Sequence, residues 1–368
     1  GLIKIIFGPG PGEIVRGSIT LNGTFSVIFT VDTQPGGTTT VEAQHTTAIP
    51  LQVDSGTFTI LPAVWKVELT EGTVGSIVTI TADGYPKEGV VRLSFGTTPT
   101  ITTTSANSNG TFSISFTINI QPYGTTTITG YGSLGSATNT FRILPKIIAV
   151  TPTTGSVGTI VTVQGNGYGS ATTVWIDFGT TPTVVQVSTT AYGSWTTTFT
   201  ITTQAYGTTT ITGIDLTHNV MATRTIVITP NIILVVPPEG TVGSVVTVRG
   251  NGYGATEGIA IHFGMARTIA TTSTDAFGSF TTTFSIDTQG LGTTTITAVG
   301  INTGQVASTF TFRITPRLVS VTPTQGTVGT VVTLSGGGYQ ANELVRIDFG
   351  ITRTITMVSA QAEGSFTV

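Results

Sequence analysis

The fold is decided by a stretch that occurs four times in the chain. It reads GTVGSIVTITADGY from Gly72, GSVGTIVTVQGNGY from Gly155, GTVGSVVTVRGNGY from Gly240 and GTVGTVVTLSGGGY from Gly326. Successive copies start 83, 85 and 86 residues apart. Because self-similarity at a fixed period is the signature of repeat architectures, the chain is predicted to be a tandem array of similar units.

Three further blocks recur in phase with this stretch. The blocks VRLSFG, VWIDFG, IAIHFG and VRIDFG end at Gly96, Gly179, Gly264 and Gly350. The blocks PYGTTTITG, AYGTTTITG and GLGTTTITA begin at Pro122, Ala205 and Gly290, and TFRILP, TIVITP and TFRITP end at Pro145, Pro230 and Pro316. These blocks predict five units. The first is a partial unit that has only the later strands of the repeat, the next three are complete, and the last is a partial unit that has only the early strands. In order, these are unit 1 (1–62), unit 2 (63–145), unit 3 (146–230), unit 4 (231–316) and unit 5 (317–368).

Each unit has the pattern of β-strands throughout. Thr, Val, Ile and Phe dominate, and these residues suit a pleated, half-buried surface. In 111–120, the apolar residues Phe112, Ile114, Phe116 and Ile118 alternate with polar ones, which is the period of a strand. The same register recurs in unit 1 from Phe25 to Val31, so we expect a strand there too. No segment has a helical period, so almost no helix is expected.

Turn signals divide a complete unit into about seven short strands. In unit 3 we place them at 147–151, 159–165, 173–179, 183–189, 195–202, 207–213 and 222–229. Seven strands in about 85 residues is the size of an immunoglobulin-like β-sandwich. Pro152, Pro237 and Pro323 follow the first strand of their units, which marks an edge strand or a strand that changes sheets. The units join almost without linkers, as in RILP-KIIAVTP, and this predicts a stiff rod.

Composition excludes several classes of protein. The chain has 368 residues, is 38% hydrophobic and 8% charged, and carries a net charge of −3. Disorder requires the reverse balance, a membrane helix requires about 20 continuous apolar residues, and nucleic-acid binding requires a basic patch; none of these is present. There are 83 threonines and no cysteines, so neither disulfides nor thiolate metal sites are expected.

The two partial units suggest that the array continues. Units 1 and 5 duplicate strands near 3–27 and 345–368, whereas two halves that complete each other between subunits would not duplicate strands. We therefore expect a segment of a longer repetitive polypeptide. The alternative is strand complementation between copies of the chain.

Threonine gives the strongest chemical signal. Runs of three threonines at outward strand positions are explained by β-propensity and cross-strand contacts, or by O-glycosylation that covers an uncharged surface; the sequence leaves both open. Asn22 and Asn109 begin Asn-Gly-Thr sequons, but Asn-Gly is also the preferred dipeptide of a tight turn, and we favour the turn. The candidate glycosylation sites are Asn22, Asn109, Thr125, Thr127, Thr196, Thr198, Thr208, Thr210, Thr281 and Thr283.

Other residues suggest no catalytic or metal site. A tyrosine recurs as Tyr85, Tyr168, Tyr253 and Tyr339, and is interpreted as a core residue rather than a ligand platform. Asp83 and Glu88 are the only pair that suggests Ca²⁺, and because the other units do not repeat Asp83 we expect no Ca²⁺ and no other cofactor. The three histidines fall at unrelated repeat positions, and no hydrolase or phosphate-binding motif occurs. We therefore expect no enzyme.

The pattern P-x-x-G-x-V-G-T-x-V-T-V-x-G-x-G-Y, followed by a strand that ends in Phe-Gly, resembles immunoglobulin-like domains of the IPT/TIG type. It also resembles the Thr-rich sandwich repeats of large microbial surface, S-layer and extracellular-matrix proteins. The resemblance covers nearly the whole chain, and it implies no catalytic residue in it. It implies an extracellular structural array that associates with itself in a surface layer, stalk or filament. The alternatives are an adhesin or carbohydrate-binding array, whose partners would be cell-surface or matrix glycans, and a non-catalytic region of a secreted enzyme.

Overall fold

The computed structural model describes residues 1–8, 12–307 and 309–368, with every side chain in these ranges except that of Trp65. The described residues form 33 β-strands and no helix, which confirms the prediction of an all-β chain. Consequently, none of them belongs to a helix that is long and apolar enough to cross a membrane.

Unit 3 shows the architecture of a complete unit. Its strands, named A, A′, B, C, C′, E, F and G in chain order, are β13 (Lys146–Thr151), β14 (Thr154–Gly155), β15 (Ile160–Asn166), β16 (Thr173–Phe178), β17 (Thr181–Ser188), β18 (Trp195–Thr200), β19 (Gly207–Asp215) and β20 (Val220–Ile228). One sheet has the order A-B-E and the other the order A′-G-F-C-C′. These are the seven predicted strands plus the short strand A′, in an immunoglobulin-like sandwich.

In units 3 and 4 the first strand changes sheets at proline, which is one of the two alternatives that the sequence left open. Strand A of unit 3 pairs antiparallel with strand B, and after Pro152 strand A′ pairs parallel with strand G in the opposite sheet. Unit 4 changes sheets in the same way at Pro237. Because proline has no N–H to donate, it interrupts one ladder at the point where the chain leaves it.

Units 2 and 4 repeat the eight-stranded arrangement of unit 3. In unit 2 the strands are β5 (Ala63–Val67), β6 (Glu71–Thr73), β7 (Ile77–Asp83), β8 (Val90–Phe95), β9 (Thr98–Ser105), β10 (Phe112–Thr117), β11 (Gly124–Gly132) and β12 (Gly135–Leu144). In unit 4 they are β21 (Asn231–Val236), β22 (Glu239–Gly240), β23 (Val245–Asn251), β24 (Gly258–Phe263), β25 (Ala266–Ser273), β26 (Phe280–Ser285), β27 (Gly292–Gly300) and β28 (Phe310–Ile314).

Each complete unit has its own hydrophobic core between its two sheets. In unit 3, Val161 and Val163 of strand B meet Ile176 and Phe178 of strand C, and all four are fully buried. The alternating apolar residues of each strand supply this inner face. Burial of one such side chain stabilises the fold by about 1.5–3 kcal/mol.

Unit 1 contains a single sheet of four strands in the order β2-β1-β3-β4. They are β1 (Leu2–Phe7), β2 (Glu13–Ser18), β3 (Gly37–His45) and β4 (Gln52–Ile60), which correspond to C, C′, F and G. The prediction of a strand from Phe25 to Val31 is wrong, because these residues join no ladder. The equivalent strand E of unit 2 pairs with strand B, and the described residues of unit 1 contain no strand B.

Unit 5 contains the early strands of a sandwich. They are β29 (Arg317–Thr322), β30 (Thr333–Gly337), β31 (Leu344–Phe349), β32 (Thr352–Ser359) and β33 (Phe366–Thr367). Strands A, B and E form one sheet, and C and C′ form the other. Its smaller core is built around Val345, Ile347, Ala360 and Phe366.

Candidate functional site

The feature that recurs most regularly outside the cores is the junction between consecutive units. Strand G of one unit is followed by strand A of the next after only one or two residues. These connecting residues are Leu61 and Pro62, then Pro145, then Thr229 and Pro230, and finally Thr315 and Pro316. Connections this short bring the E–F loop of one unit against the B–C loop of its neighbour.

One backbone hydrogen bond occurs at all four junctions. Its donor is an E–F loop N–H, and its acceptor is the carbonyl of the repeated tyrosine in the next unit. The donor–acceptor pairs are Gly36–Tyr85 (2.8 Å), Tyr123–Tyr168 (2.8 Å), Tyr206–Tyr253 (2.8 Å) and Leu291–Tyr339 (2.9 Å). The donors occupy one repeat position and the acceptors another, so each junction is closed in the same way.

The tyrosine side chain fixes the position of this carbonyl. Tyr85, Tyr168 and Tyr253 are fully buried, which confirms their interpretation as core residues. Their hydroxyls donate to the carbonyls of Gly130 (3.1 Å), Gly213 (3.4 Å) and Ala298 (3.1 Å) on strand F. Burial raises the pKa of Tyr85 to about 12, so the hydroxyl remains a donor throughout the physiological range. One residue thus ties the core to the junction.

A glycine in the turn between strands C′ and E completes the contact. Gly193 has a φ of +70°, and its N–H donates to the carbonyl of Thr190 at 3.0 Å. A Cβ on Gly193 would overlap the carbonyl oxygen of Tyr168 and lie 2.9 Å from the Cα of Pro122 in the preceding unit. Gly110, Gly278 and Gly364 occupy the same position against Tyr85, Tyr253 and Tyr339. Only glycine meets both the conformational and the steric requirement.

Buried carboxylates hold the residue that follows the tyrosine. Asp215 is fully buried and accepts from the N–H of Gly169 (2.9 Å) and the hydroxyl of Thr172 (3.0 Å). Burial raises the pKa of Asp215, but the hydrogen bonds from Gly169, His218 and Thr172 outweigh burial and hold it below its ordinary value. In unit 2 the residue after the tyrosine is Pro86, which has no N–H and needs no acceptor.

Glu257 has the corresponding role in unit 4. It is 1% exposed and accepts from the N–H groups of Gly254 (2.7 Å), Asn302 (3.0 Å) and Thr303 (2.6 Å). The hydroxyl of Thr303 donates a further bond at 2.7 Å. Burial raises the pKa of Glu257, whereas these hydrogen bonds lower it by more, so the net shift is downward. Hydrogen bonds to the ionised form favour that form, so Glu257 is held as a carboxylate.

A glutamine that the sequence analysis did not single out holds the donor side of the junction. Gln121 is 1% exposed, its Nε2 donates to the carbonyl of Phe95 (3.1 Å), and its Oε1 accepts from the N–H of Thr97 (3.0 Å). Gln34 and Gln204 donate to the equivalent carbonyls of Phe7 and Phe178. Gln289 occupies this position in unit 4. The recurrence of Gln three residues before each Gly-Thr-Thr-Thr run is the signal that identifies it.

The junction between units 2 and 3 has an additional polar contact. His218 Nδ1 lies 2.9 Å from Asp215 Oδ2, and the His218 ring meets the ring of Tyr123 from unit 2 at a centroid distance of 5.5 Å. The guanidinium of Arg142 donates to the Tyr123 hydroxyl at 2.7 Å. His45 and His262 have no place in this group, so the structure does not bring the three histidines together.

The predicted glycosylation residues all lie on the surface. Asn22 and Asn109 are exposed in tight turns that Gly23 and Gly110 complete with positive φ, as the Asn-Gly dipeptide predicts. All eight threonines are exposed on outward strand positions: Thr125 and Thr127, Thr208 and Thr210 on strand F, and Thr196 and Thr198, Thr281 and Thr283 on strand E.

Asp83 and Glu88, the pair considered for Ca²⁺, lie at the end of strand B and in the following loop of unit 2. Over the described parts of the chain, no group of three His, Cys, Asp or Glu residues is arranged to hold a metal ion. The absence of a cofactor stays a prediction.

Comparison with known proteins finds only distant structural likeness. No family model and no curated protein matches the chain. Among solved structures, dimeric latent PorU from Porphyromonas gingivalis is 13% identical, with 68% of this chain and 32% of that chain covered and a TM-score of 0.22. The chain thus spans about a third of that protein.

Two further structures align over more of their own length. The ICAM-5 D1–D4 ectodomain fragment is 12% identical, with 77% of this chain and 84% of that chain covered and a TM-score of 0.23. Bacteroides ovatus SGBP-B, solved with a mixed-linkage heptasaccharide, is 13% identical, with 84% and 92% covered and a TM-score of 0.23. At these values the likeness carries no argument. The sheet topology alone shows that the chain is a tandem array of immunoglobulin-like β-sandwiches.

Replacement of Gly193 by alanine should loosen the junction between units 2 and 3. The added Cβ meets the Tyr168 carbonyl, and a left-handed alanine costs about 1–3 kcal/mol. We expect faster hydrogen exchange of the Tyr123 amide, measured by mass spectrometry or NMR. Gly158→Ala is the matched control, since Gly158 also has positive φ but open space around it. Unchanged Tyr123 exchange in Gly193→Ala would contradict the steric role.

Replacement of Glu257 by glutamine should destabilise unit 4 at neutral pH by about 1–3 kcal/mol, because one amide oxygen cannot replace a carboxylate that accepts four hydrogen bonds. The folded pKa of Glu257 lies below its usual 4.5. Its contribution is therefore fully present above that pH and is lost as the pH falls through the folded pKa. Calorimetric unfolding should show the two proteins converging in acid.

The control for this variant is Glu239→Gln, since Glu239 is 55% exposed and only 3.5 Å from Arg313 in a surface ion pair. Such pairs contribute little, so Glu239→Gln should unfold like the parent at neutral pH. A constant difference between Glu257→Gln and the parent from neutral pH into acid would refute the role of the carboxylate.

Proposed function

We propose that the chain is a stiff, non-catalytic spacer of an extracellular structure, such as a microbial surface layer, stalk or filament. The observation that carries the proposal is the hydrogen bond from an E–F loop N–H to the tyrosine carbonyl, repeated at all four junctions. A flexible connection would need free linker residues, whereas here one or two residues separate the strands.

The surface of the array fits a structural role. Its outward positions carry mainly threonine, and charged residues make up only 8% of the chain. Surfaces with so little charge favour association, so the partner we propose is a further copy of the same array in a homopolymer or lattice.

Small-angle X-ray scattering of the intact chain tests the stiffness. We expect the distance distribution of one rod, with about 35–45 Å for each complete unit. The double variant Gly193→Ala/Gly278→Ala, which disturbs two junctions, should broaden this distribution. A parent profile typical of a flexible string of independent units would rule out the stiff spacer.

We also propose that O-linked sugars cover the exposed threonines of strands E and F in the native protein. The support is that Thr196, Thr198, Thr281 and Thr283 project from the outer face of the A-B-E sheet. Peptide mass spectrometry of native material should find 195–200 and 280–285 with added hexose masses that mild base removes. Unmodified peptides throughout would exclude this covering.

A further inference from the structure

Strand C′ forms the open edge of the larger sheet in every complete unit. It lies at the end of the order A′-G-F-C-C′ and, in the described structure, pairs with strand C on one side only. The strand is 8 residues long in units 2 to 5, as β9, β17, β25 and β32. An edge strand presents a row of unpaired N–H and C=O groups, which can pair with a strand of another chain.

The first three residues of strand C′ are protected against such pairing. The second residue is a proline or an arginine in each of these units: Pro99, Pro182, Arg267 and Arg353. Proline and charged side chains on an edge strand oppose pairing with another strand. The third residue has a positive φ in two units, +47° at Thr183 and +56° at Thr354, which turns the backbone out of the extended conformation.

The remaining five residues carry no such protection, and we call them the C′ edge. They read ITTTS (101–105), VVQVS (184–188), IATTS (269–273) and ITMVS (355–359), without a charged residue, a proline or a glycine. Most are β-branched and favour an extended strand. In units 2 to 4 the edge is held in place by its pairing with strand C and by side chains that pack on the cores, which include Ile101, Val185 and Ile269.

The edge at strand A, by contrast, is blocked. Strand A of unit 3 contains a bulge after Ile147, and the guanidinium of Arg224 on strand G donates to the carbonyls of Ile147 and Ile148. In unit 2, the side-chain amide of Asn139 on strand G donates to the carbonyl of Val64 at 3.1 Å. These side chains occupy main-chain acceptors that a neighbouring strand would need. The fold therefore closes one edge of the sandwich and leaves the C′ edge open.

Strand E lies at the end of the smaller sheet. Its exposed threonines are among those that we propose to carry sugars, and such sugars would keep another sheet away from this edge. None of the candidate glycosylation residues lies on strand C′, so the C′ edge stays free in a glycosylated array as well.

A second copy of the chain is the partner that fits this edge. An uncharged edge strand is matched by another uncharged strand, and the C′ edge of a second copy is one. Successive C′ edges start 83, 85 and 86 residues apart, and consecutive units are joined by the same hydrogen bond. A second array offers its edges at the same spacing, so more than one pair of units can associate, and each further pair adds to the affinity.

We propose that two copies of the chain associate side by side through antiparallel pairing of their C′ edges. The pairing continues the A′-G-F-C-C′ sheet of one array into the same sheet of the other. This inference rests on the proposed homopolymer or lattice and names the surface that builds it. Antiparallel pairing of identical strands has a two-fold axis, so the central residue of the edge, such as Gln186 in unit 3, lies near the same residue of the other copy.

The test uses the whole chain made in bacterial cytosol, which adds no sugars to strand E. Sedimentation velocity measures association as the protein concentration is raised, and hydrogen exchange with mass spectrometry locates the surface. We expect reversible association, together with slower exchange of 101–105, 184–188 and 269–273 in the associated protein.

A charged variant tests the surface directly. Thr103→Glu/Gln186→Glu/Thr271→Glu places a carboxylate at the centre of three C′ edges, at positions that are exposed on the outer face. It should weaken association by about tenfold or more, because like charges then face each other across the paired strands. The control Thr127→Glu/Thr210→Glu/Thr295→Glu adds the same charge at exposed positions of strand F, in the middle of the same sheet, and should associate like the parent.

The proposal is overturned if the parent stays monomeric up to its solubility limit, if the C′ variant associates like the parent, or if exchange slows on strand A or E instead of strand C′. Association through another strand would refute the C′ edge and leave the homopolymer standing, whereas a monomeric parent would refute both. The first and third outcomes use the unaltered chain, so poor folding of a variant cannot protect the proposal.

Discussion

The hydrogen bond from an E–F loop N–H to the tyrosine carbonyl of the next unit is the interaction on which the array depends. Each complete unit has its own core, so the complete units do not need each other to bury their apolar faces. What they need from each other is a fixed orientation, and a single backbone bond fixes little unless both of its ends are rigid. The donor is rigid because a buried glutamine ties the E–F loop to strand C. The acceptor is rigid because its own side chain is fixed in the core.

The remaining junction residues serve the same requirement. The turn glycine lets the neighbouring loop approach the carbonyl without a steric clash. The carboxylates of Asp215 and Glu257 bind the chain that follows the tyrosine, and they do so from different strands and loops in the two units. Units 3 and 4 therefore hold this backbone segment in the same position, but each does so with a carboxylate from a different part of the chain.

The strands could be predicted from the sequence because their signal lies in side chains. Alternation of Phe112, Ile114 and Phe116 is visible in the letters, and so are the prolines at which strand A changes sheets. The segment from Phe25 to Val31 has the same alternation and still forms no strand, since a ladder also requires a partner strand. The junction hydrogen bond could not be predicted from the sequence. It joins two main-chain atoms, and the residue types do not show which main-chain groups will pair. Only its supports, the recurring Tyr, Gly and Gln, can be read from the sequence.

Every contact that closes a junction comes from the two units that meet there. The contacts of a unit therefore do not depend on how many other units precede or follow it. Its environment is the same in a short array as in a long one. In such a chain, the number of units can change by duplication or loss of a whole repeat without any residue having to adapt. The length of the array is then set by the number of units alone, and it is independent of the stability of each unit.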